Sequence, residues 1–153
     1  MIVRKATTDD LSIIKKLYWL LDTDAIYYQP DHFMLSERPD DFILDKINNE
    51  KTDFLLGEID DETIGFILII EKETPNISCL KKERYAYIFD FVIAEEYRSK
   101  GYGALLMQFS KEWGRERNLD SLKLSVFPDN YRGIEFYKKQ GLITTMHTMK
   151  CSL

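Results

Sequence analysis

An apolar run that ends at two acids and passes into a basic, glycine-bearing turn sets most of what this chain can fold into. Tyr87 to Ala94 (YIFDFVIA) reads as a buried strand bounded by Glu95 and Glu96. Arg98-Ser99-Lys100-Gly101-Tyr102-Gly103 follows, and then Leu105, Leu106, Phe109 and Trp113 recur at helical spacing. A strand that turns tightly into a helix gathers backbone N–H groups with no intrahelical acceptor. Glycine lets a ligand approach that backbone, and a helix start favours negative charge. With Arg98 and Lys100 beside it, the turn reads as a cradle for a pyrophosphate, and a bulky side chain at Gly103 is expected to close it. Taken alone, the turn fits an ordinary strand-to-helix connection equally well. It lacks the third glycine of a dinucleotide fingerprint, Leu106 standing there, and the Gly-Lys-Ser/Thr ending of a P-loop.

Two longer patterns narrow the choice. Val92 to Gly103 (VIAEEYRSKGYG) resembles the acetyl-CoA-binding motif Arg/Gln-x-x-Gly-x-Gly/Ala of the GNAT superfamily of N-acetyltransferases. Pro128-Asp129-Asn130 followed by Phe136-Tyr137-Lys138-Lys139-Gln140-Gly141-Leu142 resembles that superfamily's second signature, Asn…Phe-Tyr-x-x-x-Gly-Phe. The resemblance is strong over residues 84–150 and looser at the start, Arg4-x-Ala6-Thr7-x-x-Asp10. It implies a single N-acetyltransferase domain over residues 1–153 with an α+β, three-layer fold. Its sheet would be mixed, mostly antiparallel, of about six or seven strands flanked by about four helices, and splayed at the cofactor site.

The pattern of residues supplies elements for such a fold. Ile2–Lys5 reads as a first strand, and Thr8 or Asp9 caps a helix with Leu11, Ile14, Leu17, Tyr18 and Leu21 on its apolar face. Residues 22–39 read as irregular, with a short helix near His32, and 39–49 as a second helix. Residues 53–59 and 63–71 form a hairpin around Asp60-Asp61-Glu62, and 73–78 a flexible loop. Residues 84–94 form the central strand, 101–118 the cofactor helix, and 121–127 the next strand. A helix over 130–140, ended by Gly141, precedes two final strands at 142–145 and 148–151.

Composition fits one core: 153 residues, of which 44% are hydrophobic. No apolar run approaches the ~20 residues of a membrane span, and the N-terminus has no signal-peptide core. Cys79 and Cys151 suggest no disulfide framework, so a reduced, cytoplasmic setting is expected. Two cysteines and two histidines, widely spaced, give no metal-site pattern. Residues 1–96 hold 11 Lys/Arg against 21 Asp/Glu, while the rest hold 10 against 5. A basic half suits an anionic cofactor and an acidic half a cationic acceptor. Without a basic stripe elsewhere, neither nucleic acid nor a membrane is expected as a partner.

The resemblance also assigns roles. Backbone groups of Phe91, Val92 and Ile93 would meet the pantetheine arm and acetyl carbonyl of acetyl-CoA. Those of Arg98, Ser99, Lys100, Gly101, Tyr102, Gly103 and Ala104 would surround its pyrophosphate. Asn130 would contact the cofactor arm, unless it serves as a helix N-cap or does both. Tyr137 would be the general acid for the departing thiolate; a packed helix aromatic is the alternative. No metal is implied, and a homodimer is compatible.

The base departs from the family pattern. Where relatives carry a glutamate, the matching positions are Tyr87, Phe89 and Ser125. Asp90 is the one acid on the central strand. Simple alternation puts Ile88, Asp90 and Val92 on one face and Tyr87, Phe89 and Phe91 on the other. Asp90 is thus a candidate catalytic base or a buried structural acid, with a water chain to Glu71 or Glu73 as the rival. Acceptor recognition is expected from residues 24–37 and 71–82, with Tyr27, Tyr28 and Phe33 joined by Tyr87 and Phe89. Aromatics with acids suit an alkylammonium, on a small molecule or a peptide; His32 reads as a surface or capping histidine. The function expected is acetyl transfer from acetyl-CoA to a primary amine of a small cationic acceptor. A non-catalytic acyl-CoA sensor or partner-binding module is the alternative.

Overall fold

Asp60 and Asp61 both take left-handed backbone angles, φ 50 and 65. These suit the two-residue turn that joins antiparallel strands without splaying them. They connect β2 (Thr52–Ile59) to β3 (Glu62–Glu73), the centre of the sheet in a computed structural model describing all residues 1–153. β1 (Ile2–Lys5) pairs with the outer side of β2, and β4 (Arg84–Ile93) with β3, all antiparallel; β5 (Ser121–Leu124) joins β4 in parallel. The order is β1-β2-β3-β4-β5. Helices α1 (Leu11–Tyr28) and α2 (Asp40–Ile47) cover one face. Helix α3 (Tyr102–Glu116) covers the other, with α4 (Tyr131–Lys139) beside it.

Alternation along β2 and β3 builds both cores at once. Phe54, Leu56, Phe66 and Leu68 meet Ile14, Leu17 and Tyr18 of α1. Leu55, Ile67 and Ile69 meet Leu106, Met107 and Trp113 of α3.

In β4 the alternation breaks. Leu68 lies opposite Asp90 and Ile69 opposite Ile88, so Phe89 is an extra residue, a β-bulge. Ile88 joins the α3 core and Val92 the α1 core, while Asp90 turns to Tyr18 of α1. The expectation that Ile88, Asp90 and Val92 share a face, opposite Tyr87, Phe89 and Phe91, is therefore corrected. Phe91 packs on the α3 side, and Tyr87 lies opposite Ile70 of the α1 side.

Other boundaries also moved. The sheet has five strands, not six or seven, because residues 142–145 and 148–151 join no strand. β5 stops at Leu124, short of Phe127. α1 continues through Asp22 to Tyr28, and no helix forms near His32.

Candidate active site

β4 is paired on both edges only along its first half. Its register with β5 ends at Ile88–Leu124, whereas its register with β3 runs on to Ile93. From Phe89 to Ile93 one strand edge therefore faces a gap, with backbone donors and acceptors, apart from the Ile93 carbonyl that Arg98 holds, available to a ligand. The bulge at Phe89 sits where the split begins and bends the strand there.

The basic turn lies just beyond. The N–H groups of Ser99, Lys100, Gly101, Tyr102 and Gly103 donate to no acceptor in the protein. The first bonds of α3 run from Ala104 and Leu105 to the Gly101 carbonyl. Gly101 has φ 89, and a Cβ there would meet nothing within 4 Å. Ser99 also has positive φ, 61, a position that costs a serine about 1 kcal/mol or more; the Arg132 guanidinium holds its Oγ. Successive unpartnered donors at a helix start make a site for an anion.

Two of the turn's residues act differently from expectation. The Arg98 guanidinium donates to the Ile93 carbonyl at 2.8 Å and pairs with Asp24 at 2.7 Å. It ties α1 to the end of β4, and its charge is already matched. Lys100, whose Nζ lies 5.7 Å from the Tyr97 ring, and Arg132 supply the charge beside the cradle. Arg132 was not singled out from sequence; its place one residue into α4 was the only signal. Gly103 is a packing glycine: a Cβ there would lie 3.3 Å from Phe136 and 3.4 Å from Ile93. A larger residue would press on α4 rather than on the cradle.

Through Phe136, α4 stands against the open half of β4, its ring 6.1 Å from that of Phe91. Tyr137 follows, half-buried against the α3 core, with no protein partner for its hydroxyl. Burial pushes its phenol up to about 12. Asn130 caps α4, its Oδ1 accepting from Gly133 N at 2.8 Å and from the Tyr28 hydroxyl at 3.2 Å. The two roles weighed for Asn130 use different atoms, since the cap leaves its Nδ2 without a partner.

The Tyr28 bond links the end of α1 to the start of α4. Tyr28 and Phe33 lie 5.9 Å and 5.4 Å from Phe127, a residue the sequence reading placed inside β5. Tyr27 stands edge-on to Tyr28 and is 81% exposed. Across the split, the Tyr87 hydroxyl and Ser125 Oγ are 3.0 Å apart. The Lys72 ammonium lies 4.4 Å from the Tyr87 ring and 6.0 Å from that of Phe89. Of the acids in residues 24–37, Asp24 is spent on Arg98 and Glu37 on Lys15, while Asp31 has no ion-pair partner; Asp22, just before them, is spent on Arg38.

Asp90 accepts from the Tyr18 hydroxyl at 2.7 Å. Burial holds its carboxyl above the usual range, against the pull of that bond and of Arg38. Arg38 lies over the Tyr18 ring at 4.5 Å and is bidentate to Asp22. Glu71, a candidate for a water chain, is paired with Arg84 at 2.6 Å; Glu73 has no ion-pair partner. No group of His, Cys, Asp and Glu is placed to hold a metal ion, and no helix is long and apolar enough to cross a membrane.

Comparison with known proteins agrees with this geometry. A family model described as the acetyltransferase (GNAT) family matches residues 14–142. An uncharacterized N-acetyltransferase of Archaeoglobus fulgidus is 27% identical over 144 residues, 93% of this chain and 92% of that protein. An N-alpha-acetyltransferase of Sulfurisphaera tokodaii is 28% identical over 103 residues, 65% of this chain and 62% of that one. A tetramutant of the BH1408 protein from Bacillus halodurans superposes with a TM-score of 0.93 at 24% identity, over 100% of both chains, a likeness of fold. With a family match across that span, on a sheet that splits beside a donor-rich turn, this chain belongs to the acetyltransferase (GNAT) family and is an acyltransferase.

Proposed function

We propose that the protein moves an acetyl group from acetyl-CoA to a primary amine by direct attack, in the gap between β4 and β5. The observation that carries this is the run of unpartnered N–H groups from Ser99 to Gly103 at the end of an unpaired strand edge. The turn fits a diphosphate, with Lys100 and Arg132 adding charge. The backbone of Phe91, Val92 and Ile93 fits an extended amide arm, to which the Asn130 Nδ2 can donate. Acetyl-CoA supplies an acyl group activated as a thioester.

The protein's own part is alignment and proton handling. An alkyl amine with pKa near 10.4 pays about 4–5 kcal/mol to be neutral at pH 7. A water chain reaching Glu73 is the candidate to take its proton, with Asp90, already committed to Tyr18, as the rival. Tyr137 keeps its own at neutral pH, since burial raises its pKa. Full transfer from a phenol so weakly acidic to a thiolate of pKa ~8.5 runs uphill. Tyr137 therefore acts as a hydrogen-bond donor that strengthens as the sulfur gains charge, and the proton it yields to sulfur is replaced by the second proton that the attacking nitrogen loses on becoming an amide.

The acceptor we favour is a small cationic amine. Lys72 supports this, because its ammonium already rests against Tyr87 and Phe89, rings that a guest cation could use. Incubation with acetyl-CoA and a panel of polyamines, amino acids, aminoglycosides and peptides, following free thiol, tests the proposal. Thiol release with a cationic amine is expected. Tight acetyl-CoA binding without release across the panel would favour a non-catalytic acyl-CoA module.

A further inference from the structure

One of the chain's own primary amines already stands at the mouth of the gap. Lys72, near the end of β3, is in register with Tyr85 of β4. Its ammonium reaches further along that strand, to 4.4 Å from the Tyr87 ring and 6.0 Å from that of Phe89. The side chain therefore leans along β4 to the bulge, where the split from β5 begins.

This amine is also free. Lys5, Lys15, Lys123 and Lys138 are each paired with a carboxylate, which must be given up before the nitrogen can attack. Lys72 has no ion-pair partner, since its neighbour Glu71 is taken by Arg84. It is exposed and rests only against ring faces, a weaker hold than a salt bridge. An exposed side chain changes rotamer in picoseconds to nanoseconds, so the amine samples the gap freely.

We propose that the protein acetylates its own Lys72, an inference that rests on the acetyl-transfer reading above. The Lys72 ammonium first gives a proton to solvent. The neutral amine then attacks the thioester carbonyl of acetyl-CoA held by the same chain. The C–N bond forms, the C–S bond breaks, and the second proton lost by nitrogen goes to the departing sulfur. Attachment to the site replaces recognition: an amine tethered beside the thioester needs no binding energy of its own.

The product is a neutral amide, so the modification changes what the site repels. As an ammonium, Lys72 opposes the approach of a cationic acceptor and occupies the rings of Tyr87 and Phe89. Once acetylated, it does neither as a charge. A single turnover on Lys72 thus opens the site to later cationic acceptors.

Mass spectrometry of the full chain, incubated with acetyl-CoA and no added amine, reads the event. The expected result is one acetyl group per chain, mapped to Lys72, at a rate that dilution of the protein leaves unchanged. Excess coenzyme A should suppress it, and a chain unfolded in urea should label its lysines evenly. Preincubation with acetyl-CoA should lower KM for a cationic acceptor roughly three- to tenfold. Lys72→Arg keeps the charge without the reactive amine, so it should gain no acetyl group and show no such fall. A folded chain that acetylates an added amine but leaves Lys72 bare overturns the inference and spares the acetyl-transfer reading. Labelling of Lys72 no faster than that of other exposed lysines, or insensitive to coenzyme A, overturns it as adventitious chemistry. A rate per chain that rises with protein concentration overturns it in favour of transfer between copies, and an acetylated Lys72 with KM unchanged overturns the activation. A chain that acetylates neither Lys72 nor any amine of the panel removes both readings.

Discussion

The Tyr18 hydroxyl donates to Asp90 Oδ2 at 2.7 Å, joining the middle of α1 to the strand at its bulge. The bond commits one oxygen of the only acid on β4 and turns it away from the α3 side, where Tyr137 packs. Burial dominates its proton affinity and raises its pKa above the ordinary 3.8. The folded state thus holds this proton more tightly than the unfolded chain does. Asp90's contribution to stability is most favourable at low pH and declines as pH rises from the unfolded value through the raised folded one.

Asp90→Asn keeps an oxygen for Tyr18 and removes the buried charge. The urea midpoint at pH 7 is expected to equal or exceed the parent's, with the gap narrowing towards pH 4. At saturating substrates kcat should fall less than about tenfold. A loss of 10²–10⁴, with the acidic limb of the pH–rate profile abolished, would instead make Asp90 the base.

The two glycines of the turn should fail in different ways. Gly101→Ala meets no atom but must hold φ 89, at a cost of about 1–2 kcal/mol. Gly103→Val drives its side chain into Phe136 and Ile93, and a loss of about 1–3 kcal/mol is expected from overpacking. Denaturant unfolding without ligand checks both. A Gly103→Val protein as stable as the parent but unable to bind acetyl-CoA would return that glycine to the cradle.

What could be read in advance was local. YIFDFVIA carries its own hydrophobicity, the turn its glycines, and α4 its amphipathic spacing and cap, so strand, turn and helix were legible where they stand. The bulge was not, because nothing in Ile88-Phe89-Asp90 marks which residue is extra; that choice is made by β3 across the ladder and by Tyr18 seventy-odd residues earlier. Arg98 looked like a phosphate ligand because its partner, Asp24, lies on a helix far away in sequence. Residues 142–145 and 148–151 were expected as strands and form none, since propensity does not say whether an edge is within reach.

Lys72 offers a direct probe of the acceptor. Its ammonium is the only cation lying over both Tyr87 and Phe89. Lys72→Met removes a like charge from the approach of a cationic amine and frees both rings. KM for such an acceptor is expected to fall roughly three- to tenfold, the scale of one partly solvated charge, with kcat nearly unchanged. The effect should shrink at high salt. A rise in KM would mean that Lys72 itself holds the acceptor, through an anionic group.

Tyr137 carries the sharpest expectation. Its hydroxyl has no partner in the protein, so Tyr137→Phe breaks no internal bond and should leave α4 and the affinity for acetyl-CoA intact. If the phenol assists the departing sulfur, kcat should fall by roughly 10²–10⁴ at unchanged binding, because the interaction grows only as charge develops. The pH dependence gives a second check. With the folded pKa raised from 10.0 to about 12, the parent keeps this proton well past neutrality. Its associated stability is present below pH 10 and lost as pH climbs towards 12, because the unfolded chain ionises first. Tyr137→Phe should flatten that alkaline loss, and the parent's rate should show no Tyr137-linked decline below about pH 10. A Phe variant as fast as the parent on its best acceptor would leave Tyr137 as packing for the α3 core and pass the sulfur's proton to water.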